Sequence, residues 1–295
     1  MWCFGYGFFL MLSRWLRLLT PMVVIVAAPF LFMVACQSKL LYMPRAYPPE
    51  AVGHWQQNRG GKVVEFMTSQ GQQRAFLQGN LDSPRNLWIV CGGNATLALE
   101  WSPWLGQHAP QEDAWLLVDF PGYGESNGKP SPRTILETFQ VVIPIASDSV
   151  GLTSVPDASR LRFFGHSLGA AACLIAASEF DIRHGVLLSP FTSTMEMSRL
   201  VVGVPLGFLV THRFDNVARL DEILERGPAR ILILHGTHDE VVPFQMGRRL
   251  ADGRGEGVKF IAIDGGMHNN IPHRHSDALA DALAASGSLA EGRTR

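Results

Sequence analysis

Short apolar runs alternate with longer amphipathic segments along most of the chain, from about residue 44 to residue 285. The runs at 87–90 and 231–234 contain no polar residue. A strand that is covered on both faces, as in a parallel sheet, has this continuous apolar pattern. Eight strands are predicted, at 62–68, 74–78, 86–90, 114–119, 161–164, 185–188, 230–234 and 259–263.

Helical patterns lie between or after these strands, at 132–145, 168–180, 241–251 and 276–285. Because strands and helices alternate, we predict an α/β fold, with a mostly parallel eight-stranded sheet and helices on both faces. No internal repeat interrupts the pattern, so residues 39–286 are predicted to form one domain. The polar tail at 287–295 is expected to be disordered.

The segment 190–227 breaks the alternation, because a short apolar stretch at 201–210 stands between two predicted strands. We interpret the segment as a small lid over a pocket. An ordinary crossover helix with a long loop is the alternative.

The N-terminus has a separate pattern. Arg14 and Arg17 precede a stretch at 18–35 that has no charged residue. Its length is close to the roughly 20 residues that span a bilayer, and a basic segment before an apolar one is also typical of a secretory signal. Residues 1–38 are therefore predicted to be a signal or membrane anchor, with Met11 rather than Met1 as a possible true start.

Small and apolar residues lead into Cys36, in a pattern that resembles the lipobox of bacterial lipoproteins, although Met33 stands where Leu is usual. Cys36 is therefore the candidate for lipidation. The alternatives are an uncleaved transmembrane anchor and a buried core helix, which Pro21 and Pro29 disfavour. Arginines before the stretch place that end in the cytoplasm and the domain outside it, at a bacterial cell envelope.

Composition excludes some functions. The net charge is −1 and no run of Lys or Arg exceeds two residues, whereas nucleic-acid binding needs a basic surface. Cys91 and Cys173 lie in apolar surroundings and no Cys-x-x-Cys occurs, so buried, inert thiols are expected rather than a disulfide framework or metal site. We predict no metal and no cofactor.

The main chemical motif is Gly165-His166-Ser167-Leu168-Gly169, between a predicted strand and a predicted helix. Strand, tight turn and helix is the context in which Gly-x-Ser-x-Gly presents a nucleophilic serine. Glycine on both sides lets the strand and the helix approach closely. Ser167 is therefore the candidate nucleophile.

A serine hydroxyl needs a base, and in this arrangement the acid and the histidine follow the serine along the chain. Asp239 follows the run at 231–234, and His268 follows the last strand. We assign Asp239 as the acid and His268 as the base, with Glu240 and Asp264 as alternative acids. His235 and His238 are interpreted as loop or pocket-wall residues.

Acyl transfer also needs donors for the oxyanion of the tetrahedral intermediate. One donor is predicted to be the backbone N–H of Leu168, directly after Ser167. The other is predicted in the loop at 91–95, after an earlier strand, and Asn94 is the candidate. The Gly92-Gly93 pair in that loop would otherwise be only a tight turn.

Together these motifs resemble the α/β-hydrolase superfamily, over roughly 40–285. The loop at 119–126 is similar to its Asp-x-x-Gly-x-Gly-x-Ser loop, and the segment at 40–45 resembles the entry of membrane-tethered members. The segments at 190–193 and 212–216 resemble a short-lidded branch with acyl-protein thioesterase-like and esterase-like enzymes. One departure is Gly92-Gly93, where relatives usually have His-Gly.

The sequence thus predicts a cofactor-independent serine hydrolase of the carboxylesterase or thioesterase type, acting on an ester, thioester or amide. A small-molecule or acylated substrate is expected. An acyltransferase with the same three residues is one alternative. A non-catalytic binding or structural protein at the membrane that keeps the fold is the other.

Overall fold

The computed structural model describes residues 28, 37–39, 41–152, 157–202 and 210–288. Cys36, the two candidate start methionines and nearly all of the predicted anchor lie outside these residues, as does the tail from residue 289. Within the described residues, no helix is both long enough and apolar enough to cross a membrane.

A single eight-stranded sheet forms the centre of the domain, with the strand order β1-β2-β4-β3-β5-β6-β7-β8. β2 pairs antiparallel with β1 and with β4, and every other neighbouring pair is parallel. This confirms the predicted α/β fold with a mostly parallel sheet. The strands are β1 Lys62–Thr68, β2 Gly71–Gly79, β3 Leu87–Cys91, β4 Ala114–Val118, β5 Leu161–His166, β6 His184–Leu188, β7 Arg230–Gly236 and β8 Val258–Ile263.

Residues 28, 37–39 and 41 are helical, and nine further α-helices have described bounds. They are α1 Ala51–Arg59, α2 Ser102–His108, α3 Pro132–Ser149, α4 Leu168–Phe180, α5 Thr194–Val202, α6 Asn216–Glu225, α7 Phe244–Ala251, α8 Ile271–Arg274 and α9 Ser276–Gly287.

The apolar core has two parts, one on each side of the sheet. On one side α3, α4, α6 and α7 cover the strands, and on the other side α1, α2 and α9 cover them. β3 and β4 are buried along their whole length, which is the reason that their sequences are continuously apolar. Cys91 and Cys173 are both buried, and both are free thiols.

The predicted start of one helix needs correction. The helix predicted at 241–251 begins only at Phe244, because the backbone N–H groups of Val241 and Val242 bind a side chain of the preceding loop. Within the segment 190–227, residues 216–225 form the helix α6, which Leu220 and Ile223 bury against the domain. The interpretation of the segment as a lid stays a prediction, as does the alternative of a crossover helix with a long loop.

Candidate active site

Ser167 lies on the sharp turn between β5 and α4. Its backbone has φ +54° and ψ −116°, a conformation that non-glycine residues rarely adopt and that is characteristic of strained functional positions. Its N–H donates to the carbonyl of Leu188 on β6, at 2.9 Å. The turn is therefore fixed to the neighbouring strand as well as to its own.

The glycines on either side of Ser167 make this turn possible. A Cβ atom on Gly165 would lie 2.5 Å from the carbonyl oxygen of Gly169. A Cβ atom on Gly169 would lie 2.1 Å from the carbonyl oxygen of Cys91, at the end of β3. Since real Cβ atoms do not approach backbone oxygens so closely, only glycine fits at either position.

His268 and Asp239 are in direct contact. Nδ1 of His268 lies 2.8 Å from Oδ2 and 3.0 Å from Oδ1 of Asp239. The two alternative acids bind elsewhere: Glu240 accepts the backbone N–H of His268 at 3.1 Å, and Asp264 accepts the hydroxyl of Thr237 at 3.3 Å. Asp239 is thus the carboxylate that contacts the imidazole.

The Asp239 carboxylate is fully buried and accepts several hydrogen bonds. Oδ1 accepts the N–H groups of Val241 at 2.9 Å and Val242 at 2.8 Å, and Oδ2 lies 3.2 Å from Nε2 of His235. Burial by itself raises the pKa of Asp239, but the hydrogen bonds from His235 and His268 outweigh it and hold the pKa well below its usual value. Asp239 is therefore ionised at neutral pH.

His235 is a residue of this site whose role the sequence did not indicate. Its Nε2 lies 3.0 Å from the carbonyl oxygen of Val242 as well as 3.2 Å from Asp239. Both neighbours are acceptors, so this nitrogen carries the hydrogen. Nδ1 is buried without a partner among the described atoms. The spacing His-x-x-x-Asp at the end of a strand was the signal in the sequence that could have suggested the contact.

His166, the residue before the serine, connects the turn to the His268 loop. Its Nε2 donates to the carbonyl oxygen of His268 at 3.0 Å, and the two ring centroids are 5.0 Å apart. Burial, followed by the nearby His268, lowers the pKa of His166 to about 3. The ring is therefore neutral at physiological pH and acts as a hydrogen-bond donor.

Ser167 and His268 are in the same corner of the molecule but are not directly bonded. Among the described residues, no hydrogen bond joins the Ser167 hydroxyl to the His268 ring. The connection runs through His166, which is adjacent to Ser167 in sequence and bonds the His268 backbone. In ligand-free enzymes such hydrogen bonds are often long and shorten only when substrate is bound.

The predicted oxyanion donors lie on either side of Ser167. Leu168 is the first residue of α4, so its N–H has no acceptor within the helix. On the other side, a Cβ atom on Gly93 would lie 3.5 Å from the Cβ of Ser167, which places the loop at 92–95 against the serine. The side-chain amide of Asn94 donates to the carbonyl of Leu41 at 2.9 Å. One side-chain N–H of Asn94 is thus engaged by the 41–45 segment, and we take the backbone N–H of Asn94 as the candidate oxyanion donor.

The segment from Leu41 to Arg45 holds this loop in place. Oδ1 of Asn94 accepts the N–H of Met43 at 2.8 Å and the hydroxyl of Tyr123 at 2.9 Å. The guanidinium of Arg45 donates to the carbonyl of Ala95 at 2.8 Å. Sequence reasoning missed these contacts. We refer below to the side of the molecule formed by the 41–45 segment and by the segments that directly follow β3, β5, β6, β7 and β8 as the carboxyl edge.

Part of the 119–126 loop also supports the site. The buried Asp119 accepts the hydroxyl of Tyr47 at 2.7 Å and the N–H of Ala98 at 2.8 Å. Burial raises its pKa to about 6, although these two hydrogen bonds oppose the change. Within the described residues, no group of three or more His, Cys, Asp or Glu residues could hold a metal ion.

Comparison with known proteins gives relatives of several kinds. The chain is 26% identical over 271 residues to the uncharacterized protein Rv2307c of Mycobacterium tuberculosis, covering 89% of this chain and 92% of that protein. It is 29% identical over 153 residues to alpha/beta hydrolase domain-containing protein 17C of Xenopus tropicalis, covering 52% of this chain and 46% of that protein. No family model matches the chain.

Solved structures resemble the domain as a whole. The esterase Pf2001 of Pyrococcus furiosus superposes with a TM-score of 0.61 at 15% identity, covering 84% of this chain and 99% of the esterase. Est1E of Butyrivibrio proteoclasticus superposes with a TM-score of 0.56 at 17% identity, covering 76% and 98%. The chain has the α/β-hydrolase fold.

Proposed function

We propose that the protein is a serine hydrolase that cleaves an ester, thioester or amide through an acyl-enzyme on Ser167. The esterase-like fold supports a hydrolase. The observation that carries the finer proposal is the buried contact between Asp239 and Nδ1 of His268, beside a serine held on a strained turn. Fold alone does not determine chemistry, so the proposal depends on these three residues.

In the proposed reaction, the oxygen of Ser167 attacks the substrate carbonyl carbon while Nε2 of His268 takes the hydroxyl proton. The carbonyl π electrons move to oxygen, and the backbone N–H groups of Leu168 and Asn94 stabilise the resulting oxyanion. Asp239 holds the imidazole in the tautomer that leaves Nε2 free as a base, and stabilises the imidazolium once it forms.

The intermediate then collapses. The bond from carbon to the leaving group breaks as His268 gives its proton to that group, and an ester between Ser167 and the acyl group remains. Water attacks this ester by the same route, with His268 again taking and returning one proton. The acid is released and the hydroxyl of Ser167 is restored, so no cofactor or metal is consumed or required in the balance.

Pre-steady-state hydrolysis of a short p-nitrophenyl ester tests this mechanism. We expect a burst of p-nitrophenol of one equivalent per protein or less, followed by steady turnover, because short p-nitrophenyl esters acylate a serine faster than the acyl-enzyme hydrolyses. The burst should be absent in Ser167→Ala and in His268→Ala. A burst that survives in Ser167→Ala would exclude Ser167 as the nucleophile.

The same experiment separates the two alternatives. An added alcohol or amine that accepts the acyl group faster than water does would identify an acyltransferase. A folded wild-type protein with neither a burst nor steady turnover would favour a non-catalytic binding protein. One observation favours this second alternative: among the described residues, no direct hydrogen bond joins Ser167 to His268.

We also propose that the N-terminal segment holds the domain on a membrane, outside the cytoplasm. Acylation of Cys36 or an uncleaved helix at 18–35 would each provide the attachment, and both follow from the sequence pattern. A reporter enzyme fused to the C-terminus should be active only outside the cytoplasm. Loss of lipid mass in Cys36→Ser would identify the lipoprotein, and unchanged mass with retained membrane attachment would identify the helix.

A further inference from the structure

The chain that follows the uncharged stretch at 18–35 is attached to the carboxyl edge. The side chain of Gln37 accepts the backbone N–H of Thr211 at 2.7 Å and its hydroxyl at 2.9 Å. The hydroxyl of Tyr42 lies 3.1 Å from Nδ1 of His212, and the two rings meet edge to face with centroids 5.4 Å apart. Gln37 and Tyr42 therefore both bind the domain, and the chain is held to it at these two positions.

The same segment continues to the oxyanion loop. The N–H of Met43 bonds both the side chain of Asn94 and the hydroxyl of Tyr123, at 2.8 and 3.0 Å. Asn94 belongs to the loop that lies against Ser167. Within seven residues the chain thus passes from Gln37 to the immediate surroundings of the candidate nucleophile.

The tether, by which we mean the short link from the uncharged stretch at 18–35 to Gln37, cannot let this edge move far from a bilayer. Two residues span at most about 7 Å of extended chain, and Gln37 is two residues after the end of the uncharged stretch. If the stretch is a spanning helix, the contact with Thr211 lies at the lipid surface. If Cys36 carries the acyl chains instead, the contact is closer still. Both forms of attachment therefore bring the same edge to the membrane.

Exposed apolar side chains are concentrated at this edge. Of the six large apolar residues that are exposed among the described residues, four lie there, and these four are between 43% and 56% exposed. The other two, Met67 on β1 and Ile145 on α3, lie on other elements. The four are Met43 in the 41–45 segment, Leu200 on α5 after β6, Val241 after β7 and Met267 after β8.

We propose that the carboxyl edge docks on the lipid surface, so that the site at Ser167 receives its substrate from the bilayer. The substrate class is an acyl ester, thioester or amide whose acyl group, or whose own lipid anchor, is embedded in the membrane. This proposal rests on the hydrolase and the tether proposed above. Lipid is the occupant because the chain from the uncharged stretch ends at this edge. In addition, exposed apolar side chains beside exposed charged ones, such as Leu200 beside Arg199, suit the boundary between acyl chains and headgroups.

Site-specific fluorescence quenching tests the docking. Full-length protein is reconstituted in vesicles of phosphatidylethanolamine and phosphatidylglycerol, with an NBD fluorophore on Leu200→Cys, on Met267→Cys or on the matched control Met67→Cys. Unsubstituted protein treated with the same reagent corrects for the native thiols. A part of the lipid carries a doxyl quencher on its acyl chain. Fluorophosphonate labelling of Ser167 in each variant shows that the site is folded and reports the hydrolase separately.

We expect quenching and a blue-shifted emission at positions 200 and 267 but not at position 67. Equal quenching at all three positions, or none at 200 and 267, would overturn the docking. A blue shift that depends on protein concentration and not on lipid would overturn it in favour of a second copy of the chain. Quenching at 200 and 267 without any labelling of Ser167 would support the docking and contradict the hydrolase.

Discussion

His235 should contribute to both stability and catalysis through its contact with Asp239. The side chain donates from Nε2 to the buried carboxylate at 3.2 Å and to the carbonyl of Val242 at 3.0 Å. A hydrogen bond to a charged acceptor contributes about 1.5–3 kcal/mol. His235→Phe would remove that bond and lower the free energy of unfolding. It would also remove the buried and unpartnered Nδ1, which offsets part of this decrease. We therefore expect a net destabilisation of roughly 1–2 kcal/mol.

The pH dependence of this loss gives a second test. The pKa of Asp239 is lowered in the folded protein, so its contribution to stability is present above the ordinary value of 3.8 and is lost as the pH falls below it. His235→Phe should raise the folded pKa of Asp239. The difference in unfolding free energy from wild type should thus be constant near neutral pH and should narrow only below pH 3.8.

Urea unfolding at pH 7 and at pH 3, together with kcat/KM on a p-nitrophenyl ester, measures these effects. If most of the lost bond energy is expressed in the transition state, kcat/KM falls about 10- to 100-fold. His238→Phe is the matched control, because His238 lies three residues further along the chain, in the loop after β7, and is exposed. It should change stability by less than about 0.5 kcal/mol. Equal effects in the two variants, or an unchanged kcat/KM in His235→Phe, would refute the role assigned to His235.

Three other changes give distinct expectations. Gly169→Ala should destabilise by about 1–3 kcal/mol or more, because the new Cβ meets a backbone oxygen at 2.1 Å, whereas Gly53→Ala, with nothing within 4 Å, should be neutral or stabilising in thermal unfolding. Asn94→Ala should lower kcat about tenfold with little change in KM, since it frees the oxyanion loop from the 41–45 segment; an unchanged kcat would contradict this. The raised pKa of Asp119, about 6, means that stability falls as the pH rises from 3.8 to about 6. Asp119→Asn should remove that slope in urea unfolding, and a slope that persists would assign it to another group.

The strands could be predicted because a strand that is buried on both faces is a continuous run of apolar residues. β3 and β4 are five-residue runs without an exposed position. The missed helix α1 has the opposite character, since Val52 and Trp55 are its only buried residues and two positions do not establish a helical period. The early start predicted for α7 has a specific cause: Val241 and Val242 are apolar, but their N–H groups bond Asp239.

In the candidate site, too, some features could be predicted from the local sequence and others could not. The order of Ser167, Asp239 and His268 relative to strand ends is a local pattern, and the contact between the last two agrees with it. The contact of Asn94 with Met43, in contrast, joins residues 51 positions apart, and the hydroxyl of Tyr42 meets a residue 170 positions away. No periodicity or turn chemistry encodes such pairs, so they become visible only in the folded chain.

The most direct test of the central claim is to locate the adduct of a fluorophosphonate probe by peptide mass mapping. The full-length protein in detergent is treated with the probe beside Ser167→Ala and His268→Ala, with circular dichroism to show that each is folded. We predict one adduct per chain in wild type, on Ser167, and none in either variant. An adduct on another residue, or a folded wild-type protein that does not react, would contradict the assignment of Ser167 as an activated nucleophile.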